Sequence, residues 1–269
     1  MKSLKLYFES NYLHVNISKT KFMHFSSPQS INFPSPFQFI YDGSHIEQVN
    51  HFKFLGIEIS NSLTWESHIE SVASKLHRNM GSISRVRNSL PTQLRLPVYY
   101  ALFQSHLNYS LSVWGSGGLY NKLLPIFKAQ KNALRSIFSL RKTPGTFGKP
   151  GTKSTFNDYG ILNIYQLYHL SVLTEVHRSK LDDDKFIKFS TLKPSRAIIP
   201  GGNHKYLGVN FSFAGPRLWN HFSPQNIFTG PHLFKNKVKQ RLLEIQGLGD
   251  PTNWEDINTS LAKSEQKMK

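Results

Sequence analysis

The residues Phe52-Lys53-Phe54-Leu55-Gly56-Ile57-Glu58-Ile59, followed after a short gap by Leu63-Thr64-Trp65-Glu66-Ser67-His68-Ile69-Glu70, decide how the rest of the chain is read. The first string is aromatic and β-branched, as a strand is. The second opens with Thr64, a residue type that caps helices through its side-chain oxygen. From Trp65 onward, Ile69, Val72, Leu76, Met80, Ile83 and Val86 recur at threes and fours, which puts them on one helical face for about six turns. The spacing predicts a strand that stops, turns and feeds a long helix. Gly56 inside the strand predicts a bulge or a close backbone approach. Leu90-Pro91 ends the helix, because proline restricts the residue before it and donates no helical hydrogen bond. Lys75, Arg78 and Arg85 fall away from the apolar stripe, either as a solvated face or as a phosphate track.

N-terminal to this junction, Leu4, Tyr7, Phe8 and Tyr12 share a short helical face, and Leu13, Val15 and Ile17 then alternate as in a strand. Residues 28–36 are rich in Ser and Pro and read as a loop. Phe37, Phe39 and Tyr41 alternate up to Asp42-Gly43, a pair that tolerates positive φ and predicts a hairpin returning through Ile46 and Val49.

C-terminal to it, a second helix is expected from near Pro97 through Tyr99, Leu102, Phe103, His106 and Tyr109 to Trp114, where Gly115-Ser116-Gly117-Gly118 breaks it. A third is expected over about 119–140, with Leu123, Ile126, Phe127, Leu134, Ile137 and Phe138 inward. At ideal pitch Lys128, Lys131, Arg135 and Lys142 then share a sector of about 60°, a basic ridge. The Gly, Pro and Thr run over 143–153 reads as a linker. Beyond it a helix over 160–179 turns Ile161, Ile164, Tyr165, Tyr168, Val172 and Val176 inward and closes at Asp182-Asp183-Asp184. The remainder is less regular.

Charge narrows the partners. The chain has 269 residues and a net charge of +17, with 20 Phe, 11 Tyr and no Cys. Its aromatic content supports a buried core, and the lack of cysteine excludes disulfides and thiolate chemistry. Residues 1–62 hold 5 basic and 4 acidic groups, residues 63–157 hold 13 and 2, and residues 158–269 hold 15 and 10. The positive field centres on the middle segment, which suits RNA, DNA or an RNA–DNA duplex ahead of an anionic membrane surface. Glu9 interrupts the apolar run that a signal peptide needs, and no segment reaches transmembrane length, so an intracellular protein, nuclear or cytoplasmic and not secreted, is expected.

Several strings, in order, resemble the end of the palm, the thumb and the C-terminal region of a non-LTR (LINE-type, jockey-like) retrotransposon reverse transcriptase. They are Leu13-His14-Val15-Asn16 with Lys19-Thr20-Lys21-Phe22-Met23, the junction itself, Leu90-Pro91, Tyr99-Tyr100-Ala101-Leu102, His106-Leu107-Asn108-Tyr109, Val113-Trp114-Gly115, Gln130-Lys131-Asn132-Ala133-Leu134-Arg135, and Phe213-Ala214-Gly215-Pro216-Arg217-Leu218-Trp219. The resemblance implies that Lys19 lies near an incoming nucleotide and that Lys53, Leu55 and Gly56 belong to a primer grip. The phosphate contacts expected from the outward cations of the two helices are Lys75, Arg78, Arg85, Lys128, Lys131 and Arg135. In that family the reaction is RNA-directed DNA polymerisation, for which carboxylates hold two Mg2+ ions. Those carboxylates precede the segment matched here, so the expectation is a fragment that grips nucleic acid beside missing palm and fingers, with no cofactor of its own and no polymerisation alone. A transposon-derived RNA- or DNA-binding protein, or a decayed reading frame, is the alternative.

Other chemistries lack their signatures. No two of the 12 histidines stand three or four apart, as a helical zinc pair needs, and no Gly-x-Ser-x-Gly elbow or phosphate-binding Gly-x-x-x-x-Gly-Lys loop occurs. His68 is expected as a packed helix residue, and Asp182-Asp183-Asp184 as a solvated turn. The predicted class is α+β and mostly helical. Residues 1–62 form a partial palm with a small hairpin, 63–142 a helical thumb-like bundle, 143–157 a linker, and 158–269 a looser basic region.

Overall fold

Asp42 and Gly43 both adopt positive φ (49° and 77°), and the chain reverses there as the sequence predicts. This computed structural model describes residues 2–25, 38–86, 88–115, 120–138, 151–181, 187–191, 196–200, 211–222 and 230–248. The class is α+β and mostly helical, with sheets of two and three strands. The chain divides into two compact units, Met1–His68 and Ile69–Lys269.

In the first unit, α1 (Lys2–Ser10) precedes β1 (Lys21–Phe22), β2 (Phe39–Tyr41) and β3 (Ser44–Gln48). Their order is β1-β3-β2, parallel between β1 and β3 and antiparallel across the Asp42-Gly43 turn. The Lys5 ammonium donates to the Asp42 carboxylate, which raises the lysine pKa. The alternation at Leu13, Val15 and Ile17 does not become a strand. Asn16 accepts from the Lys19 N–H at 3.2 Å and from the Ser18 hydroxyl at 2.7 Å, so local side-chain bonds wind Ile17–Lys19 into a 3-10 turn instead.

The decisive stretch also differs from expectation. Residues 52–59 are not one strand with a bulge but part of a hairpin, β4 (His51–Phe54) and β5 (Ile57–Ser60), turning at Leu55 (φ 47°) and Gly56 (φ 82°). Two successive positive φ values suit the twist of a two-residue hairpin loop. Buried Ser60 then donates to the Thr64 carbonyl at 2.9 Å, and α2 (Glu66–Val86) begins.

In the second unit α2 buries Ile69, Val72, Leu76 and Ile83, the stripe read from the spacing, while Met80 is half-buried. The next helix starts earlier than expected, as α3 (Thr92–Tyr99), and passes through a π-helical stretch (Tyr100–Gln104) into α4 (Ser105–Asn108). Asn79 of α2 donates to the Leu102 carbonyl within that stretch. A left-handed Ser110 separates α4 from α5 (Leu111–Trp114). The remaining helices are α6 (Tyr120–Ile137), α7 (Gly151–Asp158), α8 (Ile164–Leu181), α9 (Phe211–Phe222) and α10 (Pro231–Leu248). Helix α7 takes up the end of the stretch read as a linker.

Helix α8 is the centre of this unit, packed by α4, α5, α6, α9 and α10. Beyond the expected face it also buries Leu167, His169, Leu170, Leu173, His177 and Ser179. Ser171, Thr174, Glu175 and Arg178 form its one narrow outer face, so most of the helix lies in the core of the unit. The Gly115 position shows how closely α5 approaches it, since a Cβ there would lie 2.6 Å from the Leu111 carbonyl oxygen and 2.7 Å from the Tyr168 ring.

A buried amide joins these helices. Gln130 of α6, fully buried, donates to the Tyr99 hydroxyl at 2.8 Å and to the Leu162 carbonyl at 2.9 Å, and accepts from the Ile164 N–H at 3.0 Å. The last bond satisfies a donor that the start of α8 leaves unpaired. Asn163 and Gln166 exchange backbone-to-side-chain bonds, both 3.0 Å, in a reciprocal capping box. Gln166 also donates to the Leu242 carbonyl of α10 at 2.9 Å. Replacing Gln130 with Ala strands a hydroxyl, a carbonyl and an N–H and opens a cavity, so urea denaturation of the Gln130→Ala variant should show a loss of about 3–5 kcal/mol.

Burial raises the Tyr99 pKa and pushes that of Tyr168 up to about 12. Both phenols stay protonated in the fold above pH ~10, where unfolded tyrosine ionises. Stability from this source is therefore present below pH ~10 and falls as pH rises toward 12, by about 1.4 kcal/mol per pH unit for each phenol. Denaturation midpoints measured across pH 9–12 check the slope.

Candidate nucleic-acid interface

Helix α6 has two faces with different tasks. Leu123, Ile126, Phe127, Ala129, Gln130, Ala133, Leu134 and Ile137 point inward, which by helical geometry turns Lys128, Lys131 and Arg135 outward on one side. Lys128 is exposed. The Lys131 ammonium lies 4.6 Å from the centre of the Phe127 ring, a cation–π contact that fixes its stem. Arg135 donates to Asn132 at 3.3 Å and keeps further donors for a ligand.

Helix α2 places Arg78 and Arg85 opposite its buried stripe, both exposed, with Lys75 half-buried beside them. Arg85 donates to the Gly81 carbonyl at 3.3 Å. The hydroxyls of Ser84 and Ser136 meet at 2.9 Å, so the ends of α2 and α6 that carry Arg85 and Arg135 lie side by side. Lys75, Arg78, Arg85, Lys128 and Arg135 take part in no ion pair among the described residues, where Lys5 pairs with Glu9 and Asp42, Lys21 with Glu47, and Arg178 with Glu175. Outward cations on two neighbouring helices make a surface suited to phosphates.

Arg95 was not singled out from the sequence. Its guanidinium donates to the Leu90 carbonyl at 2.9 Å and the Ile137 carbonyl at 3.1 Å, capping the end of α6 and fixing the turn after α2. A lone arginine on a short helix carries no sequence signal for that role. Lys235, Lys237 and Arg241 of α10 were also not assigned and are exposed; the four-residue spacing of Phe234, Val238 and Leu242 would have predicted their outward face.

The first unit holds the other expected contacts. Lys19 is exposed at the end of the 3-10 turn. Lys53 is exposed on β4 opposite Glu58, and Leu55 and Gly56 form the hairpin tip. Phe52, Phe54 and Leu55 are 41%, 56% and 72% exposed, so this hairpin presents apolar surface where a solvated turn would carry polar residues. Buried His68 accepts from the Glu58 N–H through Nδ1 at 3.3 Å and serves the packing of β5.

Among the described residues no group of three or more His, Asp or Glu is placed to hold a metal ion, and no helix is long and apolar enough to cross a membrane. Asp182-Asp183-Asp184, Lys142 and Phe37 lie outside the described residues. Compared with protein-family models, with characterised proteins and with solved structures, the chain matches none.

Leu55 in the left-handed region costs stability that Asn or Gly would not. A Leu55→Asn variant should raise the stability of the first unit by about 0.5–1 kcal/mol. Hydrogen exchange of the β4 and β5 amides should slow accordingly, and faster exchange would contradict the turn geometry.

Proposed function

We propose that this chain is the nucleic-acid-gripping portion of a LINE-type reverse transcriptase, comprising the end of the palm, the thumb and the C-terminal region, and that it acts by holding a duplex through its phosphates. The observation that carries the reading is the outward row of Lys128, Lys131 and Arg135 on α6, beside Arg85 of α2. The ordered sequence resemblance supplies the family, and the +17 charge supports a polyanionic ligand. The β4–β5 hairpin, with Phe52, Phe54 and Leu55 exposed, supports a hydrophobic contact with a primer end. No polymerisation step is assigned to the chain, because the residues matched to the family contain neither catalytic aspartate motif.

Binding held by phosphates weakens steeply with salt. Titration of a labelled RNA–DNA hybrid by fluorescence anisotropy should give log K falling linearly with log salt. Substituting Lys128, Lys131 and Arg135 together with Ala should reduce that slope by about 2–3. Salt-independent binding, no binding, or an unchanged slope in the triple variant would overturn the proposal. Primer extension by the chain alone would overturn the absence of a catalytic role.

A further inference from the structure

Helix α10 is attached by a narrow stripe. Phe234, Val238 and Leu242 are buried at intervals of four, while His232, Leu233, Lys235, Asn236, Lys237, Gln240 and Arg241 are exposed. At about 100° per residue the buried three span about 80°, and the arc between them divides into three bands. Lys235 and Lys239 border the stripe on one side, and Lys237 and Arg241 border it on the other. Asn236 and Gln240, one turn apart, occupy the crest between the cations, and Leu233, 49% exposed, shares that crest three residues before Asn236.

This arrangement differs from an ordinary solvated face. The four cations make no ion pair or hydrogen bond among the described residues, and Glu244 is the single carboxylate on the helix. The crest carries two amides, with the exposed Glu244 one turn beyond Gln240 at its edge. Asn236 has one long contact, 3.4 Å to the His232 ring nitrogen, and Gln240 has none among the described residues. Amides between two rows of cations match the layout of a duplex groove, where base edges lie between two phosphate strands.

We infer that α10 enters the major groove of duplex DNA. Lys235 and Lys239 contact the phosphates of one strand and Lys237 and Arg241 those of the other, while Asn236 and Gln240 contact adenine edges and Leu233 packs on a thymine methyl. A B-form major groove about 12 Å wide admits a helix, whereas the deep, narrow major groove of an RNA duplex does not. DNA is thereby selected over double-stranded RNA. The inference goes beyond the phosphate grip proposed for α2 and α6 in assigning base readout to a separate helix. It shares with that reading only the class of ligand.

The test is selection of bound sequences from a randomised DNA duplex pool by the full chain, followed by anisotropy on the winners. The expected result is an enriched, adenine-containing site preferred over scrambled duplex by at least about fivefold per amide contact. The Asn236→Ala/Gln240→Ala variant should lose that preference and keep its affinity for scrambled duplex. Both residues are exposed, and an unchanged melting temperature verifies the fold. The Lys128, Lys131 and Arg135 variant should lose affinity on every duplex and keep the preference, so the two proposals fail separately. No enrichment, a preference that survives loss of both amides, or equal affinity for an RNA duplex would overturn the assignment.

Discussion

Gln130 is the constraint on which the second unit depends. Its side chain joins α3, the segment before α8 and the first turn of α8, and it does so where water cannot replace any lost partner. Net, such bonds contribute about 1 kcal/mol each, yet leaving any of these groups alone costs more. Satisfied together, they specify one register between α6 and α8. The capping box of Asn163 and Gln166 extends the same network to α10.

That register sets where the charges stand. Because α6 turns Gln130 and its apolar neighbours inward, Lys128, Lys131 and Arg135 are held outward on a rigid element instead of a loop. Preorganised cations lose less conformational entropy on binding than cations on a mobile segment. Arg95 and the Ser84–Ser136 contact set the end of α2 against the end of α6, so Arg85 joins the row without a sequence motif that connects them. The bond from Gln166 to the Leu242 carbonyl does the same for α10.

Elements with one apolar stripe were legible in the sequence. The spacing from Ile69 to Ile83 predicted α2, Asp42-Gly43 predicted its hairpin, and the outward row on α6 followed from periodicity. The reading failed where one residue type serves two conformations. Leu55 in a left-handed turn looks like the middle of a strand, because leucine rarely adopts that φ. In α8, Tyr168, His169 and His177 interrupt the apolar pattern, so the spacing predicts a narrower buried face than the structure shows; the His177 ring is buried by stacking on Phe234 at 4.0 Å. Asn163-x-x-Gln166 is a capping signal in the sequence, whereas Gln130 offers none, since a single buried amide leaves no periodic trace.

The outward row on α6 is the proposed contact with nucleic acid. Lysine acetylation followed by mass spectrometry, with and without a bound RNA–DNA hybrid, tests it directly. Lys128 and Lys131 should become protected in the complex, while Lys188, exposed and outside the row, should remain reactive. Equal modification of Lys128 and Lys131 in the free and bound chain would contradict the account.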